Sequence, residues 1–219
     1  MKLSEILYDS AKEIWNSYYD HPFVKGIGTG ELNIEKFRYY MIQDYLYLLE
    51  YAKIFALGVI KAKDEDTMRA FAELVNSTLN SETNIHKDYM ARLNISKEEV
   101  ASAKPALANA SYTNYMLWVS QNEGLLQLAV TVLSCSWSYK MIADKLSKIP
   151  GATEHEFYGQ WIRGYISPEY NKTNDNAINL VNKLGENCSK DEIENLKDIF
   201  INCSRFEYMF WDMAYNLSK

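Results

Sequence analysis

Glycine and proline are scarce in this chain, and they cluster. The 219 residues include nine glycines and four prolines. These fall between stretches whose apolar residues recur at helical spacing, so the punctuation itself outlines a set of helices. Residues 3–19 carry Ile6, Leu7, Ile14 and Tyr18 on one face. His21-Pro22 and the run Gly26-Ile27-Gly28-Thr29-Gly30 then interrupt the pattern. That run reads as a plain loop. It lacks the Gly-Lys-Ser/Thr ending of a phosphate loop, and no strand pattern precedes it.

Further along, Asn33 is an N-cap for a long helix from Ile34 to about Lys61. Asp64 opens another that runs to about Leu93. Ser96-Lys97-Glu98-Glu99 has the form of a capping box before a short helix. Pro105 begins a segment through Ser120, and Gly124 precedes a helix ending near Pro150-Gly151. Thr153-Glu154-His155-Glu156 reads as a second capping box, leading to Trp161 and Tyr165. Ser167-Pro168 reads as N-cap plus first-turn proline for a helix that stops by Gly185. Ser189-Lys190-Asp191-Glu192 is a third capping box, and the last helix runs to about Asn216. No alternating apolar–polar run of useful length, no internal repeat and no linker interrupts this series. The expectation is an all-α bundle of about seven or eight helices forming a single domain over residues 1–219.

Charge and composition narrow the function classes. Net charge is −6 with no long basic run, which disfavours binding to nucleic acid through phosphates. The longest clean apolar run is Ile54 to Ile60, well short of the roughly 20 residues that span a bilayer. The N-terminus, Met1-Lys2-Leu3-Ser4-Glu5, has no apolar core of a signal peptide. Cys135, Cys188 and Cys203 do not form a disulfide framework and fit a reducing cytoplasm. Seventeen tyrosines and five tryptophans form a surplus that suits polar-lined pockets or protein interfaces.

Three constellations could carry chemistry. Cys135 and Tyr139 lie four residues apart, so a thiol and a phenol share one helix face. That is either a shielded site for covalent chemistry or a buried cysteine beside a core tyrosine. Asp44 shares a face with Tyr40, Tyr47 and Tyr51 and has no cationic partner one turn away. It is either a binding carboxylate or part of a solvated, tyrosine-rich face. Glu207 sits in the aromatic run Phe206 to Trp211, where burial would raise its pKa towards that of a general acid; the alternative is a salt link to an arginine. Metal chemistry is disfavoured. Glu82 and His86 stand at i and i+4 rather than the i, i+3 of di-iron bundles, no second copy exists, and three scattered histidines cannot readily build a haem or zinc site. No serine nucleophile elbow appears.

Taken in order, these fragments resemble the TenA family of thiaminase II enzymes, in its cysteine-containing branch. The resemblance rests on Asp44-Tyr45-Leu46-Tyr47, Tyr112, Cys135 with Tyr139, Trp161-Ile162-Arg163-Gly164-Tyr165, and Glu207-Tyr208-Met209-Phe210-Trp211. It implies a haem-oxygenase-like helical bundle, a homotetramer, and no cofactor. It implies a hydrolase for thiamin and for its degradation product 4-amino-5-aminomethyl-2-methylpyrimidine, yielding the hydroxymethyl-pyrimidine for thiamin salvage. On the same basis Cys135 would be the nucleophile and Glu207 the acid/base. Asp44 would hold the exocyclic amine and ring nitrogen. Tyr112, Tyr139 and Tyr165 would orient the ring and the cysteine, and Tyr47 and Phe210 would pack against the pyrimidine. The alternative is a binding or regulatory protein of the same fold without hydrolase activity.

Overall fold

The computed structural model describes the backbone of residues 1–219 and every side chain except those of Ser81, Glu82, Asn84 and Ile85. Glu82, paired above with His86, therefore lies outside the described side chains. Among the described residues the secondary structure is helical without strands. In chain order the helices are α1 (Leu3–Asp20), α2 (Pro22–Thr29), α3 (Ile34–Lys61), α4 (Glu65–Ser77), α5 (Thr83–Arg92), α6 (Lys97–Ser102), α7 (Leu107–Asn122), α8 (Leu125–Leu146), α9 (Gly159–Tyr165), α10 (Pro168–Leu184) and α11 (Lys190–Asn216). The all-α expectation holds, with more and shorter helices than the sequence pattern separates.

The capping chemistry explains several boundaries. Asp64 accepts the Thr67 amide at 2.9 Å and starts α4. Ser167 accepts the Tyr170 amide at 3.2 Å, with Pro168 in the first turn of α10. Ser189 and Glu192 cap each other's backbone amides at 3.2 and 2.8 Å, opening α11.

Two readings need correction. The glycine run is not a plain loop, because Pro22–Thr29 is helical and ends at Gly30 in the left-handed conformation, φ 76°. Gly28 is glycine for a packing reason. A Cβ there would come within 2.7 Å of Leu146 and 2.8 Å of Ile149. The capping box at Thr153 does not form. Residues Ala152–Glu154 make a 3-10 turn, and His155 Nδ1 instead accepts the amides of Phe157 and Tyr158 at 3.2 and 3.3 Å. By length and composition α8 could cross a membrane, yet 61% of its apolar window is buried inside the protein.

The chain divides into two compact units, each made of two stretches. The first comprises Met1–Asn33 and Ala129–Trp211. Its core includes Leu7, Trp15, Tyr18, Phe23, Ile142, Phe200 and Trp211, all nearly inaccessible. Ser204 on α11 is a polar hub within it. Its hydroxyl donates to the Phe200 carbonyl at 2.8 Å and accepts the Trp15 indole N–H at 2.9 Å. Because that proton is committed, the Ser134 hydroxyl, 3.1 Å away, is the donor of their shared bond. The hub thus ties α1 and α8 to α11.

The second unit comprises Ile34–Leu128 and Asp212–Lys219. Here α3 packs against α4, α5 and α7 around Phe37, Tyr40, Ile54, Phe71, Tyr89, Tyr112 and Met116. Between α4 and α5 the backbone opens into a π-helical turn, Thr78–Glu82, in which the Thr83 amide reaches back five residues to the Thr78 carbonyl. The inserted residue re-phases α5 relative to α4. The continuous helix expected from Asp64 to Leu93 is therefore present, but with a change of register within it.

Candidate active site

In the first unit, α8 carries Cys135 and Tyr139 on one face, 8% and 4% exposed. The segment around Cys135 is held from several sides. The Ser138 hydroxyl donates to the Cys135 carbonyl at 2.9 Å, and Tyr170 on α10 donates to the Ser136 carbonyl at 3.1 Å. Ser134 is fixed by the Ser204 hub. Tyr139 lies in an aromatic cluster, with ring centroids 4.9 Å from Tyr165, 5.7 Å from Trp161 and 5.1 Å from Trp211. Tyr165 is half-buried and also meets Tyr170 edge-on at 5.0 Å. Glu207 and Phe210 on α11 are each 2% exposed.

Tyr18 reports on the neighbourhood of these groups. Burial, then the negative charge of Glu207, push its phenol well above the usual value, and Cys135 adds to the same effect. Glu207 and Cys135 therefore both lie near one buried hydroxyl. Cys203, which faces Glu207, is also driven far up, mainly by burial. It is held as an unreactive thiol. All three cysteines are free.

In the second unit, Asp44 is 5% exposed and Tyr40, Tyr47 and Tyr51 beside it are buried, which rules out a solvated face. Tyr47 stacks on Tyr51 with centroids 5.3 Å apart and lies 5.4 Å from Tyr112. The Tyr47 hydroxyl points to the sulfur of Met116 at 3.6 Å. Gln43 sets the approach of α7. Its Oε1 accepts the Ala106 amide at 2.9 Å and the Asn109 side-chain amide at 3.0 Å, and its Nε2 donates to the Lys104 carbonyl at 3.0 Å. Tyr112 stands one turn beyond Asn109, so this clamp brings it beside Tyr47.

The Asp44 carboxylate has a partner that the sequence reading did not supply. His86 Nε2 on α5 lies 2.7 Å from Asp44 Oδ2, and both side chains are buried. The signal was the unused histidine itself, which was weighed only as a metal ligand. Among the described residues no three His, Cys, Asp or Glu side chains converge as a metal site would require.

The first unit thus groups a thiol, a phenol cluster and a buried carboxylate, and the second a buried, histidine-paired carboxylate with stacked tyrosines. Helical proteins with a haem-oxygenase-like fold are the class that this architecture defines. A domain with that fold from Shewanella denitrificans OS217 superimposes with a TM-score of 0.78 at 18% identity, covering 99% of this chain and 93% of its own. The chain belongs to the TENA/THI-4/PQQC family, whose profile matches residues 8–217. A TenA homologue protein from P. horikoshii OT3 superimposes with a TM-score of 0.91 at 26% identity, covering 99% of each chain. The chain is also 52% identical over 215 residues to an aminopyrimidine aminohydrolase from Helicobacter pylori, covering 98% of this chain and 99% of that one.

Proposed function

We propose that this protein is an aminopyrimidine aminohydrolase of the thiaminase II type, acting in thiamin salvage. The observation that carries the reading is the 52% identity to an enzyme of that name over 98% of the chain. A buried thiol, near a phenol that also feels a buried carboxylate, supports the chemistry.

In the proposed reaction Cys135 is the nucleophile. Its thiolate sulfur bonds to a ring carbon of the pyrimidine, and the displaced electron pair goes to a ring nitrogen, which takes a proton. That nitrogen then pushes the amine off the C5 methylene, with a proton from Glu207, leaving an exocyclic alkene. Water adds to the methylene carbon, and the carbon–sulfur bond breaks to return the thiolate. The sum is aminopyrimidine plus water giving the hydroxymethyl-pyrimidine plus ammonia. With thiamin the leaving group is the thiazole instead. Asp44 holds the exocyclic amine and adjacent ring nitrogen, its carboxylate accepting from the amine N–H and from the proton that the ring nitrogen carries. Tyr112, Tyr139 and Tyr165 orient ring and cysteine, and Tyr47 and Phe210 supply packing. Charge that develops on ring nitrogens during addition is where fixed donors lower the barrier most.

The test is hydrolysis of thiamin and of 4-amino-5-aminomethyl-2-methylpyrimidine side by side, with Cys135→Ala as control. Cysteine-dependent turnover of the aminopyrimidine supports the reading, and a fully active Cys135→Ala variant overturns the mechanism. The homotetramer belongs to the same proposal. Leu107 and Trp118 on α7, 75% and 57% exposed, are large apolar groups that an interface would cover. Light scattering on the purified protein gives the mass.

A further inference from the structure

Asp44 sits in the middle of α3, and its neighbours one turn away on that helix are Tyr40 and Leu48. Nothing on its own helix offsets the cost of burying a carboxylate. The compensation comes from a residue 42 positions away in sequence, His86, at 2.7 Å. That distance lies at the short end of charge-assisted hydrogen bonds. The carboxylate can only accept, so Nε2 carries the proton. The bond engages Oδ2, and Oδ1 has no other hydrogen bond among the described residues.

The local backbone supports a special role for this histidine. It lies in the first turn of α5, directly after the π-helical turn Thr78–Glu82. Such turns are rare and recur at functional sites, where they re-aim a side chain. Here the shift in register accompanies a histidine that meets a carboxylate on the neighbouring helix. Thr83, which closes the turn, is itself tied down by its hydroxyl donating to the Leu79 carbonyl at 2.5 Å.

We propose that His86 is a positioning residue for Asp44: its Nε2–H fixes one carboxylate oxygen and thereby presents the other to the amine edge of the aminopyrimidine. The inference rests on the reading that Asp44 binds substrate. His86 itself makes no contact with the reacting atoms. Its loss weakens recognition of the pyrimidine in the ground state and the transition state alike, so it acts on KM and not on kcat.

The experiment compares His86→Leu, His86→Gln, Asp44→Asn and the Asp44→Asn/His86→Leu double variant. It reads kcat and KM for the aminopyrimidine, and Kd for the hydroxymethyl-pyrimidine product by calorimetry. His86→Leu raises KM and Kd about ten- to a hundredfold, as expected for a lost hydrogen bond to a charged group. His86→Gln, whose amide nitrogen stands near the place of Nε2, recovers most of that loss. The double variant binds no worse than Asp44→Asn, because His86 acts through Asp44. A folded His86→Leu protein with wild-type KM overturns the proposal. So does a loss confined to kcat, or one that glutamine leaves unrepaired. Should His86→Leu fail to fold, His86→Gln and His86→Asn decide: a KM near wild type in the first and raised in the second supports the proposal, and equal values overturn it. Unchanged KM and Kd in Asp44→Asn would instead refute the substrate-binding reading of Asp44, on which the proposal stands.

Discussion

The Tyr18 hydroxyl donates to the Ser204 carbonyl at 2.6 Å, joining α1 to α11 less than one turn before Glu207. The phenol is fully buried, and burial, followed by the charge of Glu207, holds its proton far more tightly than in an open chain. Cys203 holds its own proton for the same two reasons. A raised folded pKa means that the native protein keeps a proton that the unfolded chain gives up. The associated stability is complete below the unfolded values, 9.0 for the thiol and 10.0 for the phenol, and declines as pH climbs above them. The unfolding free energy of the wild type therefore falls from about pH 9 upward. Tyr18→Phe and Cys203→Ala each flatten that fall by up to about 1.4 kcal/mol per pH unit, measured by urea unfolding across the alkaline range.

Ser204→Ala removes the acceptor of the buried Trp15 indole N–H. Ser134 retains a second, longer route to the Phe200 carbonyl at 3.5 Å, so the indole is the group left stranded. An unsatisfied buried donor costs about 1–3 kcal/mol. The variant should lose stability by that amount in chemical denaturation. Unchanged stability would show that the hub contributes no net energy.

Two buried cysteines stand on neighbouring helices, and they should behave oppositely. Cys203 is driven so far up that the thiolate is inaccessible near neutral pH. Cys203→Ala retains hydrolysis, whereas Cys135→Ala loses about a thousandfold or more, as removal of a nucleophile does. Mass spectrometry after brief alkylation of the native protein should find Cys203 unmodified. Alkylation of Cys203 in the folded state, or loss of activity in Cys203→Ala, would contradict this assignment.

What the sequence revealed and what it hid separate along one physical line. Helix ends that depend on neighbours three residues apart, such as Ser189 with Glu192 or Ser167 with Tyr170, are written locally and were legible. So was the shared face of Cys135 and Tyr139. The helix Pro22–Thr29 was hidden because Gly28 within it answers to Leu146 and Ile149, more than a hundred residues on. The π-helical turn was hidden because a single inserted residue leaves the apolar period nearly intact on either side. The Asp44–His86 pair and the Ser204 hub were hidden for a related reason. Each joins groups far apart in sequence, and periodicity along one helix carries no record of which polar groups meet across helices.

The last prediction concerns Gln43, next to Asp44. Its side chain uses both ends of the amide. Oε1 accepts from the Ala106 backbone and from Asn109, and Nε2 donates to Lys104. Gln43→Leu strands the Ala106 amide in a buried position and should cost about 1–3 kcal/mol. It also loosens the first turn of α7, so Tyr112 no longer stands in register with Tyr47. Because Tyr112 is proposed to orient the pyrimidine, KM for the aminopyrimidine should rise along with the loss of stability. Gln43→Glu is the discriminating control. It keeps the one oxygen that accepts from Ala106 and Asn109 but sets a second oxygen against the Lys104 carbonyl in place of the donor, so it should hold KM nearer to wild type than Gln43→Leu does. Equal KM values in the two variants would show that the clamp serves stability alone and has no part in placing Tyr112.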